Sequence, residues 1–223
     1  MLLERKPRIF LLSPANLSGI RAGYVLNARA EFDLARRLRH DGVTVGELFS
    51  FVSGLYFRGK LAYARAFAAP PPELPGSFVI TACEGLIRPD DVVTISQLRA
   101  WTTSDIAIGT PQYRAALDRD GRRLLESAGD SCDVVLLGSI ATPKYVEPLL
   151  EIFGERLLFP VEFVGRGDMS RGGLMLRAAE EGKELGYAPV LNAVRHGKRP
   201  PKLAPMLSRA SRPDTSGGTR SSE

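Results

Sequence analysis

The chain has 223 residues, is 44% hydrophobic and carries 30 Lys and Arg against 25 Asp and Glu, a formal charge of +5. That length and apolar content serve one sizeable core and are short for two, so a single globular domain over residues 1–196 is expected. No apolar stretch approaches the ~20 residues of a membrane helix, and the opening residues are charged rather than leader-like, so a cytoplasmic protein with no membrane partner is expected.

The first strand is read at Arg8–Leu12 (RIFLL), whose unbroken hydrophobicity suits a central strand covered on both faces. It ends in Ser13, Pro14, Ala15 and Asn16, with Arg21 close behind. Helical spacing predicts a helix over 26–40, ending at His40. Residues 47–68 then interleave Phe49, Phe51, Tyr56, Phe57, Tyr63 and Phe67 with Arg58, Lys60 and Arg65, with a helix over about 54–68. Two readings stay open there. The rings and cations stack bases and pair phosphates along a basic face that includes Arg58 and Lys60, or the rings are core and the cations line the wet side. Gly54 and Gly59 fit the turn of a helix pair, and one helix with a flexible start fits equally.

The Pro70–Pro75 cluster reads as a stiff connector within one domain. A second strand is predicted at 77–81 (SFVIT), leaving through Thr81, Cys83 and Glu84. A helix over 111–128 precedes a third strand, Asp133–Leu137 (DVVLL), whose exit holds Gly138, Ser139, Thr142, Lys144 and Tyr145. Thr142 with Pro143 behind it starts a helix to Phe153, and residues 157–159 and 161–164 add a further strand. Cys83 and Cys132 have no cysteine or histidine at metal spacing and read as small buried or half-buried thiols.

Residues 165–173, GRGDMSRGG, put two arginines and four glycines at a helix start, with Ser170 as the expected cap and Gly182 as the stop. Outward backbone N–H groups flanked by Arg166 and Arg171 suit a phosphate; a glycine-rich turn with exposed arginines is the plain alternative. From Val194 onward, seven bases stand against Asp214 and Glu223, so the tail holds the whole excess of five and the body is balanced at 23 of each sign. Residues 197–223 are basic, poor in aliphatics and expected to be disordered, either holding nucleic acid nonspecifically or solubilising the chain, with Leu203–Leu207 touching the body.

The order of elements implies an α/β fold, a single three-layer domain with a mostly parallel central sheet and a disordered basic C-terminal tail. In such sheets ligands bind beyond the carboxyl ends of the strands. A crevice is therefore expected in which Ser13, Asn16, Arg21, Lys144, Tyr145, Arg166, Ser170 and Arg171 hold phosphate, opposite Glu84 and Asp168 as acid or base. The chain has no phosphate loop, no Gly-x-Gly-x-x-Gly after the first strand and no Gly-x-Ser-x-Gly elbow, which disfavours nucleotide hydrolases and dehydrogenases. His40 and His196 read as solvated surface residues, and no metal set or cofactor is expected.

Four pieces in sequence order resemble the YaaA-type peroxide-stress protein family: LLSPA ending at Ala15, EGLIRPDD from Glu84 to Asp91, VVLLGS with Lys144 and Tyr145, and the Arg166-Gly167 and Met169-Ser170-Arg171 run. The resemblance spans residues 11 to about 177 and carries over Ser13, Pro14, Gly85, Arg88, Tyr145, Arg166, Ser170 and Arg171. It implies an α/β protein that binds DNA and limits oxidative damage to it, with some relatives linked to base modification and a DNA-contacting helix pair near 48–68. The chain departs from the family at Asn16, where lysine is usual, and at Thr94–Gln97, where Pro-Tyr-Arg is missing. The leading expectation is a nucleic-acid-binding protein; an enzyme acting on a nucleobase or nucleotide in the crevice is the alternative, and a scaffold with an inert crevice the third.

Overall fold

A computed structural model describes residues 6–201 and 203. Strand β1 (Arg8–Leu12) leads through helices α1 (Ile20–Leu26) and α2 (Asp33–His40), the short strand β2 (Val43–Thr44), and helices α3 (Val45–Ser53) and α4 (Leu55–Phe67) to β3 (Ser77–Ile80). Strands β4 (Leu86–Ile87) and β5 (Val92–Val93) precede helices α5 (Ile95–Thr103) and α6 (Pro111–Ala128). Then follow β6 (Asp133–Leu137), α7 (Pro143–Phe153), β7 (Leu157–Pro160), α8 (Asp168–Glu181) and β8 (Tyr187–Pro189).

The main sheet runs β4-β3-β1-β6-β7-β8, its four inner strands parallel and its two edge strands antiparallel. The unbroken apolar runs follow from that position, because β1 is covered on both faces. Phe10 and Leu12 join Val79, Val135 and Leu137 under α3, α4, α5 and α8, while Ile9 and Leu11 join Ile80, Val134 and Leu136 under α6 and α7. The result is three layers, helices on a sheet on helices. Each fully buried aliphatic of β1 contributes roughly 1.5–3 kcal/mol of transfer free energy.

Local chemistry explains where the helices start and stop. Thr44 accepts from the Glu47 N–H at the head of α3, and Thr94 with Gln97 forms a reciprocal capping box at the head of α5. Of the helix expected over 26–40, only Asp33–His40 is helical; α1 lies before it and ends at Leu26, where the expected helix begins. The Asn27 side chain accepts from the Arg29 N–H at 2.9 Å and Arg39 donates to the Ala30 carbonyl at 2.6 Å, so a local turn outcompetes the helix there. Of the strand expected over 157–164, only Leu157–Pro160 is extended; Val161–Phe163 is a 3₁₀ turn. Helix α8 begins at Asp168 after an extended Gly167, two residues before the cap expected at Ser170, with an acid in its first turn.

Helices α4 and α8 cross with their backbones in contact. A Cβ on Gly59 would stand 2.5 Å from the Gly172 carbonyl oxygen, and one on Gly172 would stand 2.7 Å from that of Leu55. Both glycines thus serve the crossing. The helix-pair turn lies at Gly54, where φ is +59°. The tail expected to be disordered falls mainly outside the described residues. Its described part has no helix or strand, and its 197–198 backbone lies against Val164 and Gly165. Among the described residues no helix is long and apolar enough to cross a membrane.

Candidate functional site

After β1 the chain moves to one side of that strand, to β3; after β3 it crosses to the other side, to β6. The loops leaving β1 and β6 therefore part, and a crevice must open between their carboxyl ends. A cavity of about 440 Å³ lies there. Ser13 and Asn16 line it from β1, Ser139 and Lys144 from β6, Tyr56 from α4 and Asp168 from the head of α8. Tyr145 and, from α5 and the loop after it, Trp101 and Asp105 complete its walls.

The floor is polar and buried. Lys60 is 1% exposed, and its Nζ donates to the Ser13 carbonyl at 2.9 Å and lies 2.7 Å from Ser13 Oγ. The same ammonium sits 3.8 Å from the centre of the Tyr56 ring. Burial pulls Lys60 down to about 7; Asp168 opposes that shift and Arg171 adds to it. Ser13, 4% exposed, is pressed from behind by the end of β6, since a Cβ on Gly138 would stand 2.9 Å from Ser13 Cβ.

Arg171 is also buried, one wall further back. Its Nε and Nη2 each donate to the Phe163 carbonyl at 3.2 Å, and its Nη1 lies 3.4 Å from Asp168 Oδ1. The Tyr56 hydroxyl is buried beside this guanidinium without a hydrogen bond of good geometry. Burial pushes the Tyr56 and Tyr145 hydroxyls well above the usual tyrosine range, with Arg171 opposing the shift at Tyr56. Both hydroxyls therefore keep their protons at neutral pH. Lys144 holds its Nζ 5.0 Å from the Tyr145 ring centre, and its carbonyl accepts from the Tyr113 hydroxyl at 2.9 Å.

Of the residues singled out from sequence, Ser13, Asn16, Lys144, Tyr145 and Asp168 meet around this cavity. Arg171 is a strut behind it, its nitrogens committed to a carbonyl and a carboxylate. Lys60 departs from the basic-face expectation, because the β1 terminus pulls it inward instead of leaving it beside the exposed Arg58. Glu84 is off the cavity wall and accepts from Gln97 Nε2 at 3.2 Å. Arg21 reaches back to the Phe51 carbonyl at 3.3 Å. Gly85 takes φ +77° where a Cβ would collide with Asp120, and Arg88 pairs with Asp91 at 2.6 Å, so both do structural work.

Arg166 and Ser170 open onto a different groove of about 350 Å³, shared with Arg177, Arg199 and residues 200, 201 and 203. Arg166 Nη1 donates to Ser170 Oγ at 3.2 Å and to the Pro201 carbonyl at 3.4 Å, so the phosphate set expected in one crevice is divided between two. The residues that sequence reasoning missed are Trp101 and Asp105; the Thr94–Gln97 capping box was the local signal that a helix delivers them. Among the described residues no group of three or more His, Cys, Asp or Glu is placed to hold a metal ion. Comparison with family models, curated proteins and solved structures found no match for this chain.

Proposed function

We propose that this protein is an enzyme acting on a nucleobase-bearing small molecule in the β1/β6 crevice. The lining carries this reading: seven Ser and Thr side chains, the carboxylates Asp105 and Asp168, the edges of Tyr56, Trp101 and Tyr145, and one cation, Lys144. Hydroxyls and carboxylates suit the O–H and N–H groups of a sugar and a base edge, and ring edges suit a flat heterocycle. The volume falls in the range of sites that enclose a ligand of nucleoside size. Two carboxylates against one cation favour a nucleoside or a monophosphate over a polyphosphate.

The test is thermal protection of the full chain by nucleosides, nucleoside monophosphates, free ribose and inorganic phosphate. A nucleoside at about 100 times its Kd adds about 2.7 kcal/mol of stability. Protection by at least one nucleoside, weakened by Asp105→Asn, supports the reading. Absence of protection by every nucleoside and monophosphate at millimolar concentration overturns it.

A second reading is favoured by the other groove, which gathers Arg166, Arg177 and Arg199 with no carboxylate among its lining residues. Such a groove suits a nucleic-acid backbone, in keeping with the DNA binding that the YaaA-type resemblance implies. Duplex affinity that falls steeply with salt and drops in Arg166→Gln would support it, and affinity unchanged in that variant would remove it.

A further inference from the structure

We propose that Ser13 and Lys60 form a nucleophile and base at the floor of the crevice, and that the protein transfers acyl groups through a covalent Ser13 intermediate. The proposal deepens the crevice reading by naming the reacting group of the substrate, a carbonyl in an ester, thioester or amide.

Three observations carry it. Ser13 is the first residue beyond β1 and lines the cavity, so its hydroxyl sits where the sheet delivers ligands. Its Oγ is 2.7 Å from Lys60 Nζ, and that nitrogen is also anchored by the Ser13 carbonyl at 2.9 Å, which fixes the pair in register. Lys60 itself is buried without a carboxylate bonded to it, for the facing Asp168 is bonded instead to Arg171. A lysine that only braces the β1 terminus needs no reactive partner. This one is matched to the hydroxyl of a cavity-lining residue, whose other contact is a long 3.4 Å bond donated to the Leu137 carbonyl.

The surroundings set the protonation of the pair. Facing Lys60 are the Tyr56 ring from its own helix, Ser13 from β1, and Asp168 and Arg171 from α8. Desolvation outweighs the attraction of Asp168 and holds the amine near 7, so a sizeable fraction is neutral at physiological pH and able to accept a proton. The described histidines, His40 and His196, are exposed and outside the cavity lining, which leaves Lys60 as the base beside Ser13.

The step balances without any further reagent. Neutral Lys60 takes the Ser13 hydroxyl proton as Oγ bonds to the carbonyl carbon, and the carbonyl π pair moves onto oxygen. Collapse restores the double bond and breaks the bond to the leaving group, which takes the proton from the Lys60 ammonium. Water then adds to the Ser13 ester carbon as Lys60 accepts its proton. Oγ departs and recovers that proton, giving a carboxylic acid and free enzyme. A phosphoryl group is a poorer fit, because Asp105 and Asp168 would repel its charge across the rim.

The experiment treats the full chain with a fluorophosphonate and, separately, with p-nitrophenyl acetate, reading adducts by peptide mass and p-nitrophenolate by absorbance. The expected result is modification of Ser13, absent in Ser13→Ala, with a labelling rate that rises with pH around a midpoint near 7. Lys60→Arg, which keeps the charge and cannot act as a base, should slow labelling by about 100-fold or more. The pH midpoint of the unmodified chain needs no substitution and stands even if the Lys60 variant does not fold. A folded chain unlabelled at Ser13 between about pH 6 and 9, or a midpoint in the ordinary lysine range above pH ~10, overturns the proposal. Nucleoside protection without Ser13 labelling would sink the dyad and spare the crevice reading; labelling without nucleoside protection would do the reverse.

Discussion

Two buried cations stand on crossing helices behind the same crevice, and the fold treats them differently. Arg171 on α8 spends its guanidinium on the Phe163 carbonyl and the Asp168 carboxylate and rests 5.7 Å from the Phe163 ring centre. Lys60 on α4 has a carbonyl, a hydroxyl and the face of Tyr56. The first set stabilises a permanent charge; the second leaves an amine that can give its proton up. The contrast separates a strut from a reactive group, and burial alone would not have done so.

The comparison breaks most completely if the helices are forced apart, since both cations depend on the crossing. Gly172→Val would set a side chain 2.7 Å from the Leu55 carbonyl and 2.8 Å from Tyr56 Cα, backbone atoms that cannot yield locally. The expected cost is about 3 kcal/mol or more, visible as a large drop in Tm together with loss of nucleoside protection. Wild-type stability for this variant would mean that the close crossing is not what aligns α4 with β1.

Arg171→Leu and Lys60→Met then sharpen the contrast by removing one charge at a time. Arg171→Leu leaves the Phe163 carbonyl without its donors and is expected to cost about 2–3 kcal/mol in denaturant unfolding. Lys60→Met, measured near pH 6, is expected to cost clearly less, because relief from burying an ammonium without a bonded carboxylate offsets the loss of the donor to the Ser13 carbonyl. Equal losses in the two variants would erase the distinction between strut and base.

Much of this was legible in the sequence, and the failures have physical causes. The RIFLL and DVVLL runs announced buried parallel strands, and the strand-end rule placed Ser13, Lys144 and Asp168 around one hollow. Lys60 lies inside because helical spacing shows only which residues share a face, while the direction of that face comes from the Gly59–Gly172 contact. The glycines of GRGDMSRGG read as an anion cradle for a similar reason. Gly172 is there for a backbone approach from a segment more than 100 residues away, and nothing local records it. Glu84 followed its strand correctly, but the α5 capping box turned Gln97 onto it. The helix break at Asn27 was legible, since an Asn followed by Ala and Arg offers a side-chain turn that competes with the helix.

A gentler probe of the same contrast is pH. With Lys60 held near 7 in the folded chain and at its ordinary value when unfolded, the unfolded state binds the extra proton between those two values. Stability should therefore rise with pH through that window by about 1.4 kcal/mol per pH unit, and the slope should vanish in Lys60→Met. Below the folded value both states carry the proton and the slope from this group is nil. Above about pH 10 the buried Tyr56 and Tyr145, whose hydroxyls are pushed up, reverse the sign, because the unfolded chain then loses its protons first. A flat profile from neutral pH upward would show that Lys60 stays charged in the fold and is a strut after all.

The smallest effect belongs to a cation that burial does not reach. Arg65, on the same helix as Lys60, pairs with Asp90 at 2.7 Å, but the two side chains are 60% and 75% exposed. Water screens the attraction and the ordering of two long side chains offsets most of the rest, so Arg65→Gln should change unfolding free energy by less than about 0.5 kcal/mol. It should leave Ser13 labelling and its pH midpoint untouched, since nothing connects Arg65 to the floor of the crevice except the helix that carries both. That variant is therefore the control for charge on α4. If it moved the midpoint as far as a change at Asp168 does, the field at Lys60 would be set by the whole face of the helix, and the assignment of its shift to local desolvation would fail.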